Sequence, residues 1–381
     1  MRNLLFILGI IAFAILPGSC NFKKNESAFS EIPLDATWIR PHYSNLFLLA
    51  TSHRDTFLIL KDPSDTTKVL QSFCWGAGTQ DFKWIKKIKS RNKIIFTTAV
   101  FAGMLESIQE EWRIIGLDKT DYETSPRTCL RIKEGKVSSV AKSGELNLEM
   151  VVRLQPDLLI GYYIEPKGKQ NLLRAQTENC PVIFLQNFLE NHPLGRAEWI
   201  KVFGYLMGKA QMANNQFDEI EEHYLSAAAR VEEVKTMPSV LINAPFSGIW
   251  DIPAGQSYMA TLIADAGGNY LWAAKNGTGR IPMDIEKVYT IAKDADIWIN
   301  PGACRNLSCL QMLDSRLEKF TAFKKHQIYN STKTLNAKGA NAYWEYGVIR
   351  PDLVLLDLIK IMHPNKAEEH TSVFFEPLKS N

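Results

Sequence analysis

No phosphate-cradling G-x-x-x-x-G-K-S/T loop, zinc-protease H-E-x-x-H pair or hydrolase G-x-S-x-G elbow occurs in the 381 residues. The nearest approach to a dinucleotide fingerprint, GAGTQD at 76–81, lacks its third glycine and precedes the first strand–helix unit. Catalysis has no foothold, so a protein that is not an enzyme and holds no resident cofactor is expected. Basic runs are missing too. The 44 Lys and Arg and 41 Asp and Glu are scattered in both signs for a net charge of +3, which leaves no stripe for nucleic acid.

Long apolar runs are equally scarce. Leu4–Leu16 is 13 residues long, short of the roughly 20 that a membrane span needs. It follows Arg2 and precedes the small pair Gly18-Ser19 and then Cys20, so residues 1–20 read as an export signal. Cys20 stands where a bacterial lipoprotein is acylated, although Pro17 occupies a place where Leu is usual. Residues 21–35 then read as a tether that leaves the folded part outside the membrane, in the periplasm or at the cell surface. Cysteine is sparse, with six in all. In an oxidising compartment Cys304 and Cys309 are close enough to close a small loop, and a metal site is the alternative, although no second Cys pair or His pair accompanies them.

What is present is an apolar content of 46%, ample for a packed core in two or three domains. FLLATS (47–52) and TFLILKD (56–62) predict a hairpin, and KIIFTTA (93–99), LLIGYY (158–163) and VIFLQN (182–187) predict strands separated by helical pattern. The same grammar returns in VLINAPF (240–246), SYMATLIADAGG (257–268), IWIN (297–300) and QIYN (327–330). Alternating strands and helices predict an α/β protein with two blocks of parallel sheet. Between the blocks, apolar residues recur at three and four from Arg196 to about Val234, predicting a long helix with a break near Gly208.

Each block also carries a matched carboxylate. Asn147-x-Glu149 and Asp284-x-Glu286 share one cap-to-Glu spacing, and each opens a short apolar helix that leads through Asp157 or Asp296 into a strand. A single Glu in a first helical turn complements the helix dipole by about 0.3–1 kcal/mol. Its duplication in equivalent places on two halves asks for more.

NLEMVVRLQPDLLIG (147–161), HPLGRAEWIKVFGYLMGKA (192–210), GIWDIPAGQSYMATLIADAGG (248–268), EKVYTIAKDADIWIN (286–300) and YWEYGVIRPDLVLLDLIKIMHP (343–364) together resemble the substrate-binding proteins of ABC importers for iron-siderophores, haem and vitamin B12. The likeness runs in order over about 95–375. It implies two Rossmann-like lobes with central parallel sheets, 36–194 and 237–381, joined by a backbone helix over 195–236. It further implies a monomer that captures a metal chelate in the cleft and docks on a permease dimer in the cytoplasmic membrane, through Glu149 and Glu286. A lipoprotein that scavenges a chelate at the surface without a permease is the alternative.

Open α/β sheets bind ligands at the carboxyl ends of their strands. Candidate ligand aromatics there are Phe101, Tyr162, Tyr163 and Phe188 in the first lobe, and Trp250, Tyr258, Tyr343 and Trp344 in the second. Arg127 and Lys167 are candidate anion contacts. His192 precedes the long helical segment and suits a helix cap. No cluster of His and carboxylates for a bare metal ion is expected.

Overall fold

Residues 27–142 and 145–380 are described in the computed structural model, so Cys20 and the leader lie outside the described residues. The chain opens with a mainly antiparallel sheet, in the order β1 (Thr37–Ile39), β2 (Phe47–Thr51), β3 (Asp55–Asp62), β4 (Asp65–Gly76) and β5 (Lys86–Lys87). The expected hairpin forms as β2 and β3, with Phe47 opposite Leu60. Strand β4 carried no clear strand signal because its first half, DTTK, is polar and exposed, and only its second half is buried. This sheet is fastened to the next by Gln71, whose amide donates to the Val182 carbonyl at 2.9 Å and accepts from Phe184 N–H at 2.8 Å.

The first parallel sheet contains β6 (Ile94–Phe96), β7 (Ile114–Leu117) and β8 (Ser138–Ser139). A small ribbon, β9 (Ala141–Lys142) and β10 (Glu145–Leu146), follows before β11 (Leu158–Gly161) and β12 (Val182–Phe184) complete the sheet. Its spatial order is β12-β11-β6-β7-β8, and every neighbouring pair is parallel. The second lobe contributes β13 (Ser239–Ile242), a side hairpin of β14 (Trp250–Pro253) and β16 (Arg280–Met283), and β15 (Asn269–Tyr270), β17 (Ile297–Ile299), β18 (Ile328–Asn330) and β19 (Glu376–Pro377). The second main sheet runs β15-β13-β17-β18-β19, parallel except for its last strand. The central strands are apolar throughout because helices cover both faces. Both sheets reverse direction beside their first strand, so the molecule is two Rossmann-like lobes.

The aspartates that precede β11 and β17 have matching work. Asp157 accepts from Ser90 Oγ at 2.6 Å and from the N–H groups of Asn92 and Lys93 at 2.7 and 3.0 Å. Asp296 accepts from Ser239 N–H and Oγ at 2.8 and 2.6 Å. In each lobe this carboxylate ties the start of the central strand to its neighbour across the switch point.

The helix expected over 195–236 is divided. Pro193–Ala197, Ile200–Met207 and Ala210–Ala229 are separate helices, and Gly208 ends the second in a left-handed conformation at φ 74°. The third packs across the second so closely that a Cβ on Gly204 would lie 2.3 Å from that of Ala213. Ala210–Ala229 alone therefore joins the lobes, and its 20 residues span about 30 Å at 1.5 Å each. Gln216 Nε2 donates to the Ser107 carbonyl of the first lobe, and Tyr224 OH to Asp265 of the second, each at 2.5 Å. One apolar core continues from the first lobe through this helix into the second.

The described part of the expected tether is not free chain. Ala28 and Ile32 are buried against the first sheet, and Glu31 accepts from the N–H groups of Lys83 and Trp84, both at 2.6 Å.

Candidate functional site

The switch points of the two parallel sheets face one another. From the first lobe, Thr97 and Thr98 follow β6 and Tyr162 follows β11. From the second, Asn243 follows β13 and Asn300 follows β17. Between them lie two adjoining cavities of about 410 and 490 Å3. Trp344 lines both cavities and is 62% exposed. Tyr162 and Phe188 meet edge to face at 5.4 Å along the first-lobe wall.

Of the aromatics singled out from the sequence, Tyr162, Phe188, Tyr258, Tyr343 and Trp344 line these cavities. Two others belong to the core instead. Trp250 is 0% exposed, donates to the Ile242 carbonyl at 2.9 Å and stacks on Trp298 at 5.6 Å. The cause is the period of a strand: along β14, Trp250 and Ile252 point inward while Asp251 and Pro253 face the cavity. Phe101, also 0% exposed, sits on the inner face of the helix Ala99–Ser107 against Phe96 and Phe203. Tyr163 packs edge-on to Phe184 at 5.0 Å and lines a shallower depression with Lys167. Lys167 is paired with Glu145 at 3.4 Å, and Arg127 with Glu111 at 3.5 Å, so neither is a spare cation for the cleft. His192 caps the helix Pro193–Ala197 by accepting from Leu194 N–H at 3.1 Å.

The polar groups of the cleft were not picked out from sequence. Arg196 is pinned over the ring of Tyr258, 4.0 Å from its centre. Arg280 pairs with Asp251 at 2.8 Å on the rim. Asn243 and Asn300 end their strands at φ 63° and 51°, a left-handed conformation that asparagine tolerates better than most residues. The matched endings VLIN and IWIN were the available signal. Asp251 Oδ1, Asn300 Oδ1 and Thr97 Oγ1 are buried without a hydrogen-bond partner among the described residues, so a bound molecule with O–H or N–H groups would satisfy them.

A strap from the second lobe crosses beneath the cleft. Thr124 N–H donates to Glu345 at 2.9 Å, Thr124 Oγ1 does the same, and Lys338 pairs with Asp121 at 2.7 Å. Burial pushes the carboxyl of Glu345 up to about 8, with the charge of Glu123 adding to it, and burial pushes that of neighbouring Glu123 up to about 7, with the charge of Glu106 adding to it.

Residues 94–335 match the sequence profile of the periplasmic binding protein family. The chain belongs to that family. An uncharacterised lipoprotein of Methanocaldococcus jannaschii is 25% identical over 294 residues, 74% of this chain and 68% of that one. The fold is shared with an ABC transporter substrate-binding protein from Listeria monocytogenes EGD-e, at TM-score 0.54 and 16% identity over 72% of this chain and all of that one. S. aureus IsdE, solved in complex with haem, gives TM-score 0.54 and 18% identity, again over 72% of this chain and all of that one. A periplasmic haem-binding protein from Pseudomonas aeruginosa gives 0.53 and 17% over 76% and 95%. In this periplasmic binding protein the antiparallel sheet of 37–87 and the strap with Trp344 and Glu345 fall outside the matched residues.

Glu149 and Glu286 are both exposed on the first turn of their helices, each two residues past a capping side chain. Asn147 Oδ1 accepts from Met150 N–H at 3.3 Å and Asp284 Oδ1 from Lys287 N–H at 2.7 Å. Their surroundings differ. Glu286 is engaged by Arg316, itself held by Asp314, whereas Val152 stands exposed one turn from Glu149. Cys304 and Cys309 form a disulfide, so of the two pairings left open by sequence the covalent one is present.

Proposed function

We propose that this periplasmic binding protein is the substrate-binding lipoprotein of an ABC importer. It captures a metal chelate (a ferric siderophore, haem or a corrinoid) between its lobes and delivers it to a membrane permease. The observation that carries this reading is the meeting of two sheet switch points across cavities walled by Tyr162, Phe188, Tyr258, Tyr343 and Trp344. Aromatic faces on opposite walls suit a flat or bulky chelate, each adding about 0.5–1.5 kcal/mol beyond area burial. The haem bound by S. aureus IsdE and by the Pseudomonas aeruginosa protein of the same fold points the same way. Export and lipid anchoring through Cys20 are supported by the leader and by the lipoprotein relative.

A ligand that touches both lobes favours the closed arrangement by its extra contacts there. The core that runs unbroken through Ala210–Ala229 keeps the accompanying movement small. Titration of the purified protein with ferric siderophore, haemin and cyanocobalamin, read in the visible spectrum, is expected to yield one tight complex. A protein indifferent to all three refutes the chelate reading.

Delivery rests on Glu149 and Glu286 as one docking contact per lobe. Exposed ion pairs contribute about 0–1 kcal/mol each, enough to orient an encounter but not to trap the complex. Replacing both by alanine is expected to leave chelate affinity unchanged and to reduce uptake into cells carrying the cognate permease. Unchanged uptake in the double variant would favour a scavenging protein that acts without a permease.

A further inference from the structure

We infer that the cleft selects a chelate bearing a free carboxylate, and that Arg196 is the residue that selects it; this rests on the chelate-binding reading above. Arg196 lines the larger cavity and is held from behind. One amino group donates to the Phe188 carbonyl at 2.7 Å and Nε to the Glu190 carbonyl at 3.3 Å, while the ring of Tyr258 supports its face. Nη1 makes no hydrogen bond among the described residues, and no carboxylate among them lies within ion-pair distance. The neighbouring carboxyl, Glu190, is turned to Ser44 Oγ and to Trp199 Nε1 at 3.0 Å. Burial pushes that carboxyl up to about 7, so near neutral pH it supplies only part of a counter-charge.

A guanidinium withdrawn from water without a counter-ion is costly, and burial lowers the pKa of Arg196 accordingly. The two carbonyls and the Tyr258 ring prevent it from swinging out to solvent. Its free edge is planar and points a fixed pair of donors at the cavity, the geometry that a carboxylate accepts. A carboxylate on the incoming molecule restores neutrality without moving any protein group. The propionates of haem and the free acids of a polycarboxylate siderophore meet this requirement. A corrinoid rimmed by carboxamides does not.

The test titrates the wild-type chain with haemin, haemin dimethyl ester, ferric citrate, metal-free citrate and cyanocobalamin, followed by absorption and tryptophan fluorescence, and repeats it on Arg196→Gln and Arg196→Lys. A carboxylate-bearing chelate is expected to bind. Arg196→Gln should weaken it about ten- to a hundredfold, the worth of a charge-assisted hydrogen bond, and Arg196→Lys should weaken it less. If haemin is the bound chelate, esterification should cost the wild type a similar factor and cost Arg196→Gln nothing. Unchanged affinity in Arg196→Gln, an ester that binds as tightly as the acid, or tight cyanocobalamin binding alone overturns the inference while the chelate reading stands. Arg196-dependent binding of metal-free citrate with no chelate bound upholds the carboxylate site and overturns the chelate reading. Binding of no probe overturns both. Comparison of acid with ester, and of carboxylate-bearing probes with cyanocobalamin, uses the wild-type chain, so a variant that fails to fold does not hide the answer.

Discussion

Replacing Asp357 with alanine is expected to lower the stability of the protein by about 3–5 kcal/mol, because several buried donors lose their acceptor at once. Asp357 is fully buried on the helix Pro351–Met362. It accepts from three consecutive N–H groups, those of Val373, Phe374 and Phe375, at 2.9, 2.7 and 2.9 Å, and contacts His370 Nε2 at 2.6 Å. The carboxylate thereby fixes the C-terminal segment whose Phe374 and Phe375 pack on Tyr343, a wall of the cleft. Denaturant unfolding would measure the loss, and ligand affinity should fall with it because Tyr343 loses its backing. A loss below about 1 kcal/mol, the worth of one ordinary hydrogen bond, would show that the segment is held by its apolar contacts instead. Glu198 has the same design in the first lobe, accepting from the N–H groups of His42, Tyr43 and Ser44 at 2.9, 2.9 and 3.1 Å.

Stability is expected to fall as pH rises from about 5 to 8, and Glu345→Gln should remove much of that fall. Glu345 and Glu123 sit in the buried contact between the strap and the first lobe, with Glu106 nearby and Lys338–Asp121 outside it. Both have folded values above that of an unfolded glutamate, so the folded state holds protons that the unfolded chain has released. Their full support exists below the unfolded value of about 4.3 and is lost as pH climbs through about 7 for Glu123 and about 8 for Glu345. Glutamine can still accept from Thr124 N–H but carries no charge, so the variant should match the wild type at pH 5 and exceed it at pH 9 by on the order of a few kcal/mol. Melting temperatures measured across this range decide the matter. A wild-type profile that is flat, or a variant no better at pH 9, would place the ionised carboxylates in contact with water.

Much of the fold is legible from residue order because it depends on local period. The buried strands are apolar runs bounded by Asn, Asp and Pro, and Asn147, Ser257 and Asp284 announce helix starts by the side-chain acceptor that each start needs. Strand β4 was not legible, since its first half is polar and exposed although it pairs with the adjacent β3 along its length. The cleft was legible only by location. An aromatic near a strand end is equally suited to core and to ligand, and the phase of β14 sent Trp250 inward and Asp251 outward.

Residue order by itself determined two α/β lobes, the place where they are joined, and a matched glutamate at the head of one exposed helix in each. These follow from hydrophobic period and capping, which act over a few residues. Only the tertiary structure decided that the joining segment divides a second time between Ala197 and Ile200, that Arg196 stands in the cleft without a carboxylate, and that Glu345 is buried against the other lobe. Charge balance and burial are set by neighbours more than a hundred residues away along the chain, as with Thr124 and Glu345, and no local pattern encodes them.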